Sequence, residues 1–141
     1  MKLFVRLLIL CLTLVLPAWA TVDDAISAAM EAADPYVKDG FTVREDQWGG
    51  DLAVGEKKAF QHTLFKGNDY WFFIATDTIK AEVSVHVYSS EGKLMDLEGW
   101  QKGSHSGTRF RPPSTGSYFL VVQVEESPED RTHWALVYAY K

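Results

Sequence analysis

Past residue 20 this chain contains no cysteine; its single one, Cys11, lies near the N-terminus. Disulfides, thiolate metal centres and a cysteine nucleophile are therefore excluded from the remainder, which must be held by its apolar core. The four histidines, His62, His86, His105 and His133, show neither H-x-H nor H-E-x-x-H spacing, so no zinc site is expected from their pattern. There is no run of Lys or Arg to grip a phosphate backbone or an anionic bilayer. Nor is there a G-x-S-x-G elbow. Gly103-Ser104-His105-Ser106-Gly107 has histidine where the nucleophile belongs, and reads as a loop. Internal repeats are absent. Strand patterns do not alternate with long helical ones, which excludes a parallel α/β sheet.

What is present begins with Lys2 and Arg6, an apolar run from Leu7 to Leu16, and Ala18-Trp19-Ala20. This is the form of a secretory signal ending in a small-x-small cleavage site. The run is nearer to about ten residues than to the roughly twenty a bilayer needs, so no stable membrane anchor is expected. Bulky Ile9 and Leu10 precede Cys11, which argues against a lipid-modified N-terminus. The expected location is periplasmic or secreted. The leader holds two positive charges and no negative ones, so the net charge of −5 becomes −7 without it. An acidic surface repels nucleic acid, which is excluded as a partner.

Residues 21–34, TVDDAISAAMEAAD, place Val22, Ile26, Ala29, Met30 and Ala33 at helical spacing. Thr21 is the expected cap and Pro35 the expected stop. After Gly40 the period changes to two. Residues 41–47 alternate weakly, and Trp48-Gly49-Gly50-Asp51 reads as a break. Residues 59–65 place Phe60, His62 and Leu64 on one face, and residues 70–76 are apolar on both faces, as in a central strand. Val83, Val85 and Val87 share one face of residues 82–88. Further strands are expected at 93–97, 108–111, 117–125 and 132–140, the 117–125 strand with Tyr118, Leu120, Val122 and Val124 on one face. Two arginines point outward beside Phe110. About eight strands with turn residues between them predict an all-β, jelly-roll-like antiparallel sandwich carrying one short N-terminal helix. The division expected is a signal at 1–20, helix and linker at 21–40, and sandwich at 41–141.

Three stretches carry a resemblance. They are Gly67 with residues 70–74, residues 83–88 followed by Ser90-Glu91-Gly92, and Phe110-Arg111-Pro112 leading into Thr115-Gly116-Ser117-Tyr118 with Val121 and Val122. Together they resemble the bacterial pre-peptidase C-terminal domain, over roughly residues 58–140. Here the module stands behind a leader and a helix with no peptidase before it. The resemblance implies a β-sandwich accessory module that is non-catalytic, binds substrate or matrix, and in some members binds calcium. At the position where such domains often place aspartates, this chain has Lys80-Ala81-Glu82. Asn68-Asp69, Asp77 and residues 126–130 offer oxygen atoms without the D-x-D-x-D-G order. No cofactor is expected, and calcium is the one ion with any candidate ligands.

Aromatic rings are abundant. Trp48 and Trp100 sit beside glycines in expected loops, where a ring can stack on a sugar or pack on a partner. Trp71 and Trp134 lie in strands and read as core. The candidate ligand-binding residues are Trp48, Trp100, His105, Arg109 and Arg111, and the expected partner is a protein or polysaccharide of the cell envelope. An alternative is a small hydrolase using a cross-strand His/Glu set such as His86 with Glu82. A third reading is a structural protein whose helix covers a sheet face or swaps onto a neighbour.

Overall fold

The computed structural model describes residues 22–141; the expected leader at 1–20 and the expected cap at Thr21 lie outside them. Eight strands form two antiparallel sheets. One runs in the order β1 (Thr42–Leu52), β8 (Thr132–Tyr140), β3 (Tyr70–Ala75), β6 (His105–Phe110), β5 (Glu98–Lys102). The other runs β2 (Lys57–Leu64), β7 (Gly116–Glu126), β4 (Glu82–Ser89). Every connection except the β5–β6 hairpin crosses between the sheets, which is the winding of a jelly-roll-like sandwich.

One strand departs from that scheme. The chain after β4 begins beside it, with Leu94 bridging Tyr88 and the Met95 amide donating to the Val87 carbonyl at 2.9 Å. It then crosses at Asp96-Leu97 and pairs with β6 instead. The strand expected at 93–97 is reduced to this bridge, because a segment that changes sheets cannot keep one ladder.

The core lies between the sheets. Val83, Val85 and Val87 from β4 and Tyr118, Leu120, Val122 and Val124 from β7 face Tyr70, Phe72, Ile74, Trp134 and Leu136. Each fully buried side chain of this size stabilises by about 1.5–3 kcal/mol. The two-faced character of β3 follows from its central place: Phe73 and Ala75 point the other way, into a second cluster under the helix. Tyr118 also closes the Pro112-Pro113 turn, its hydroxyl donating to the Ser114 carbonyl at 2.7 Å.

Helix α1 (Val22–Lys38) covers the outer face of the five-stranded sheet. Ala25, Ala29 and Ala33 are fully buried, and their small size lets the helix lie close to β8. Pro35 falls inside the helix, not at its end. An interior proline costs about 3 kcal/mol, offset here by the packing of the last turn. The Tyr36 ring sits 4.5 Å from Trp71 and 5.0 Å from Phe73, and its hydroxyl accepts the Trp100 indole N–H at 2.7 Å. The stop comes at Gly40, whose φ of 98° suits glycine. There the amides of Gly40 and Phe41 return to the carbonyls of Val37 and Tyr36.

The break expected at residues 48–51 does not exist, because β1 runs through it to Leu52. Gly49 and Gly50 mark close packing, not a turn. A Cβ at Gly49 would collide with Val22 of the helix, and one at Gly50 would meet the Trp134 indole at 3.4 Å.

Candidate functional site

Arg44, Glu45 and Asp46 make β1 irregular. Val43 pairs with Ala139 and Gln47 with Val137, so three residues of β1 stand opposite Tyr138 alone. Such a bulge bends an edge strand and re-aims its side chains. Here it brings Arg44 and Asp46 beside Tyr138, at the open edge where β1 faces β2.

At that edge lies a cleft of about 340 Å³, at the lower end of the roughly 300–1,000 Å³ typical of small-molecule sites. Arg44, His62, Asn68, Tyr70, Tyr138 and Tyr140 line it, with Thr63 and Phe65 at the β2 side. Phe65 is 53% exposed at its rim. Tyr138 Oη is 2.8 Å from His62 Nε2 and 3.5 Å from Asp46 Oδ2; the second distance is too long for a strong bond. Tyr70 Oη accepts from the Phe65 amide at 3.0 Å and from Asn68 Nδ2 at 3.1 Å. Arg44 lies over the Tyr140 ring, 5.7 Å from its centre.

The electrostatics follow from burial and from Arg44. Burial lowers the pKa of His62, and the Arg44 charge adds to this while Asp46 opposes it. Burial raises that of Tyr138 against the pull of Arg44. Hydrogen bonding with Tyr140 and then Tyr138 raises that of Arg44. At neutral pH the cleft therefore presents a neutral imidazole at His62, a protonated phenol at Tyr138 and a charged guanidinium at Arg44, a set suited to hydrogen-bonded recognition.

The turn that carries Asn68 is clamped from behind. Arg109 Nε donates to both oxygens of Asp69, at 2.9 and 3.2 Å, its Nη2 also reaches Oδ2, and Arg111 Nη2 lies 3.4 Å from Oδ2. The Asp69 backbone exchanges two hydrogen bonds with Lys141. The Arg109 guanidinium also covers the Trp71 ring at 5.9 Å. Arg109 and Arg111 thus stand together at the cleft end of the sandwich, and their visible work is to hold one of its walls.

The remaining residues expected from sequence are dispersed. Trp48 is in strand β1, not a loop, and is not among the cleft-lining residues; it packs against two of them, 5.5 Å edge-on to His62 and 5.9 Å stacked on Tyr138. Trp100 is likewise in a strand, β5, at the opposite edge. Its indole crosses Gly107, where a Cβ would lie 2.6 Å away. His105 begins β6 and meets the Trp100 ring edge-on at 5.4 Å. Trp134 is buried, as read from sequence, and Trp71 is half-buried under Tyr36.

His86 and Glu82 do not form a working pair. Four residues along a strand separate side chains by roughly 13 Å, and the register of β4 shifts between Glu82 and Val83. Among the described residues no three His, Cys, Asp or Glu side chains are grouped to hold a metal ion. No described helix is long and apolar enough to cross a membrane.

Arg44, Asp46, His62, Asn68, Tyr138 and Tyr140 were not expected as a site. One signal pointed to them, a histidine on the same strand face as Phe60 and Leu64. Comparison with known proteins adds no identity: no family model matches the chain, and no curated protein matches it significantly.

Proposed function

We propose that this chain is a non-catalytic binding module of the bacterial envelope, periplasmic or secreted, that recognises a protein or polysaccharide at the end of the sandwich where the β1–β2 cleft opens. The observation that carries this reading is the cleft itself, a concave aromatic site with a few convergent polar groups, built by a bulge on one side and a clamped turn on the other. The similarity of residues 58–140 to pre-peptidase C-terminal domains supports it, since those modules act by binding.

The test is retention of fractionated envelope polysaccharides and proteins on the immobilised protein, with Asn68→Ala and Tyr140→Ala as controls. A component retained by the wild type and lost with both variants, and recovered chemically unaltered, is the expected result. Retention indifferent to both substitutions would move the site elsewhere, and a cleaved or modified component would make the protein an enzyme.

A further inference from the structure

Four arginines fall among the described residues, and three of them are paired with carboxylates. Arg109 and Arg111 meet Asp69, and Arg131 meets Asp51 and Glu56. Arg44 alone has no carboxylate within salt-bridge distance. It is held over the Tyr140 ring at the cleft mouth, and the phenols of Tyr140 and Tyr138 favour its charged form. A guanidinium has five N–H donors, so beyond those turned to the two phenols it can still present the fork geometry that matches a carboxylate.

Resting on the binding-module reading above, we propose that the cleft takes a carboxylated sugar, a uronic-acid unit of a polysaccharide, with its carboxylate on Arg44. The C–H face of the ring lies against Phe65, the exposed aromatic ring at the cleft rim. The hydroxyls, which both donate and accept, meet His62 and Asn68, whose neutral side chains do the same. Two observations select this class. The neighbouring Glu45 and Asp46 share the bulge with Arg44 and oppose a dianion such as phosphate, whereas one carboxylate needs only the one cation. The volume of about 340 Å³ and the aromatic walls suit one ring of a saccharide better than an extended peptide, and the bulge at residues 44–46 interrupts the β1 edge that such a peptide would extend.

The experiment is calorimetric titration of the purified protein with trisaccharides of glucuronate, galacturonate and mannuronate, with their methyl esters, and with a tripeptide bearing a free C-terminal carboxylate. At least one acidic trisaccharide should bind, and its ester about tenfold or more weaker. Arg44→Gln should reduce the acid to the level of the ester without changing ester binding. Arg44→Lys should fall between them, since it keeps the charge and loses the fork. Acid and ester binding equally would overturn the carboxylate assignment and leave the binding-module reading standing. A bound tripeptide with no bound sugar would overturn the saccharide assignment. Binding of none of these probes would overturn the inference, and loss of envelope-component retention as well would remove the binding-module reading with it.

Discussion

Arg109 and Asp69 form the joint between the sandwich and the cleft wall, and breaking that joint has a calculable cost. Their side chains are 29% and 19% exposed, between the surface pairs that contribute at most about 1 kcal/mol and the buried ones whose disruption costs about 3–5 kcal/mol. The multiple charge-assisted contacts of Arg109 to one carboxylate, together with its cover over Trp71, place the coupling at about 1.5–3 kcal/mol. Arg109→Ala, Asp69→Asn and the double variant form a cycle readable by urea denaturation, in which unchanged m-values certify two-state behaviour. In a domain of about 120 residues each kilocalorie moves Tm by about 4 °C. The pH dependence has a definite sign. Arg109 lowers the Asp69 pKa below its ordinary 3.8, so the coupling is complete above that value and disappears as pH falls through the lower folded value. A coupling under about 0.5 kcal/mol at neutral pH, or one unchanged in strong acid, would refute the clamp.

Three further outcomes follow from the packing. Gly107→Ala sets a methyl 2.6 Å from the Trp100 indole and should cost about 1–3 kcal/mol, falling close to zero in a Trp100→Ala background; equal costs in the two backgrounds would place that indole elsewhere. Tyr118→Phe should cost about 1 kcal/mol, because the Ser114 carbonyl loses its donor, and a Tm within error of wild type would deny the turn this lock. Burial holds the His62 pKa below its ordinary 6.5, so the unfolded chain takes up the proton first and stability falls as pH drops below that value towards the folded pKa. His62→Gln should flatten the profile of Tm against pH over that window, and superimposable profiles would contradict the buried neutral imidazole.

Seven of the strands and their faces were legible because alternation is local; β5 was not, since a strand was expected at 93–97 instead, and the loop expected at 103–107 is only a tight turn before His105 begins β6. Val83, Val85 and Val87, and Tyr118 to Val124 in steps of two, point inward as their period requires. Tertiary packing hid the rest. Gly49 and Gly50 look like a turn in sequence, yet they admit a helix on one face and an indole on the other. Pro35 looks like a stop, and only the Tyr36 contacts, with Trp71 and Trp100 far along the chain, explain why the helix continues. The weak alternation of residues 41–47 was the trace of the bulge at Arg44-Glu45-Asp46. The cleft draws Arg44, His62, Asn68 and Tyr138 from distant positions, and no local spacing records such convergence. Arg109 and Arg111 were visible as outward charges; their shared carboxylate, Asp69, is about forty residues earlier.

The most direct test of the cleft as the binding site is an amide and side-chain NMR titration of the protein with the retained envelope component. The account predicts that the shifts concentrate on Arg44, His62, Asn68, Tyr138 and Tyr140, with Arg109 responding only weakly through the Asp69 turn. Shifts centred instead on Trp100 and His105, at the opposite edge of the same sheet, would contradict it.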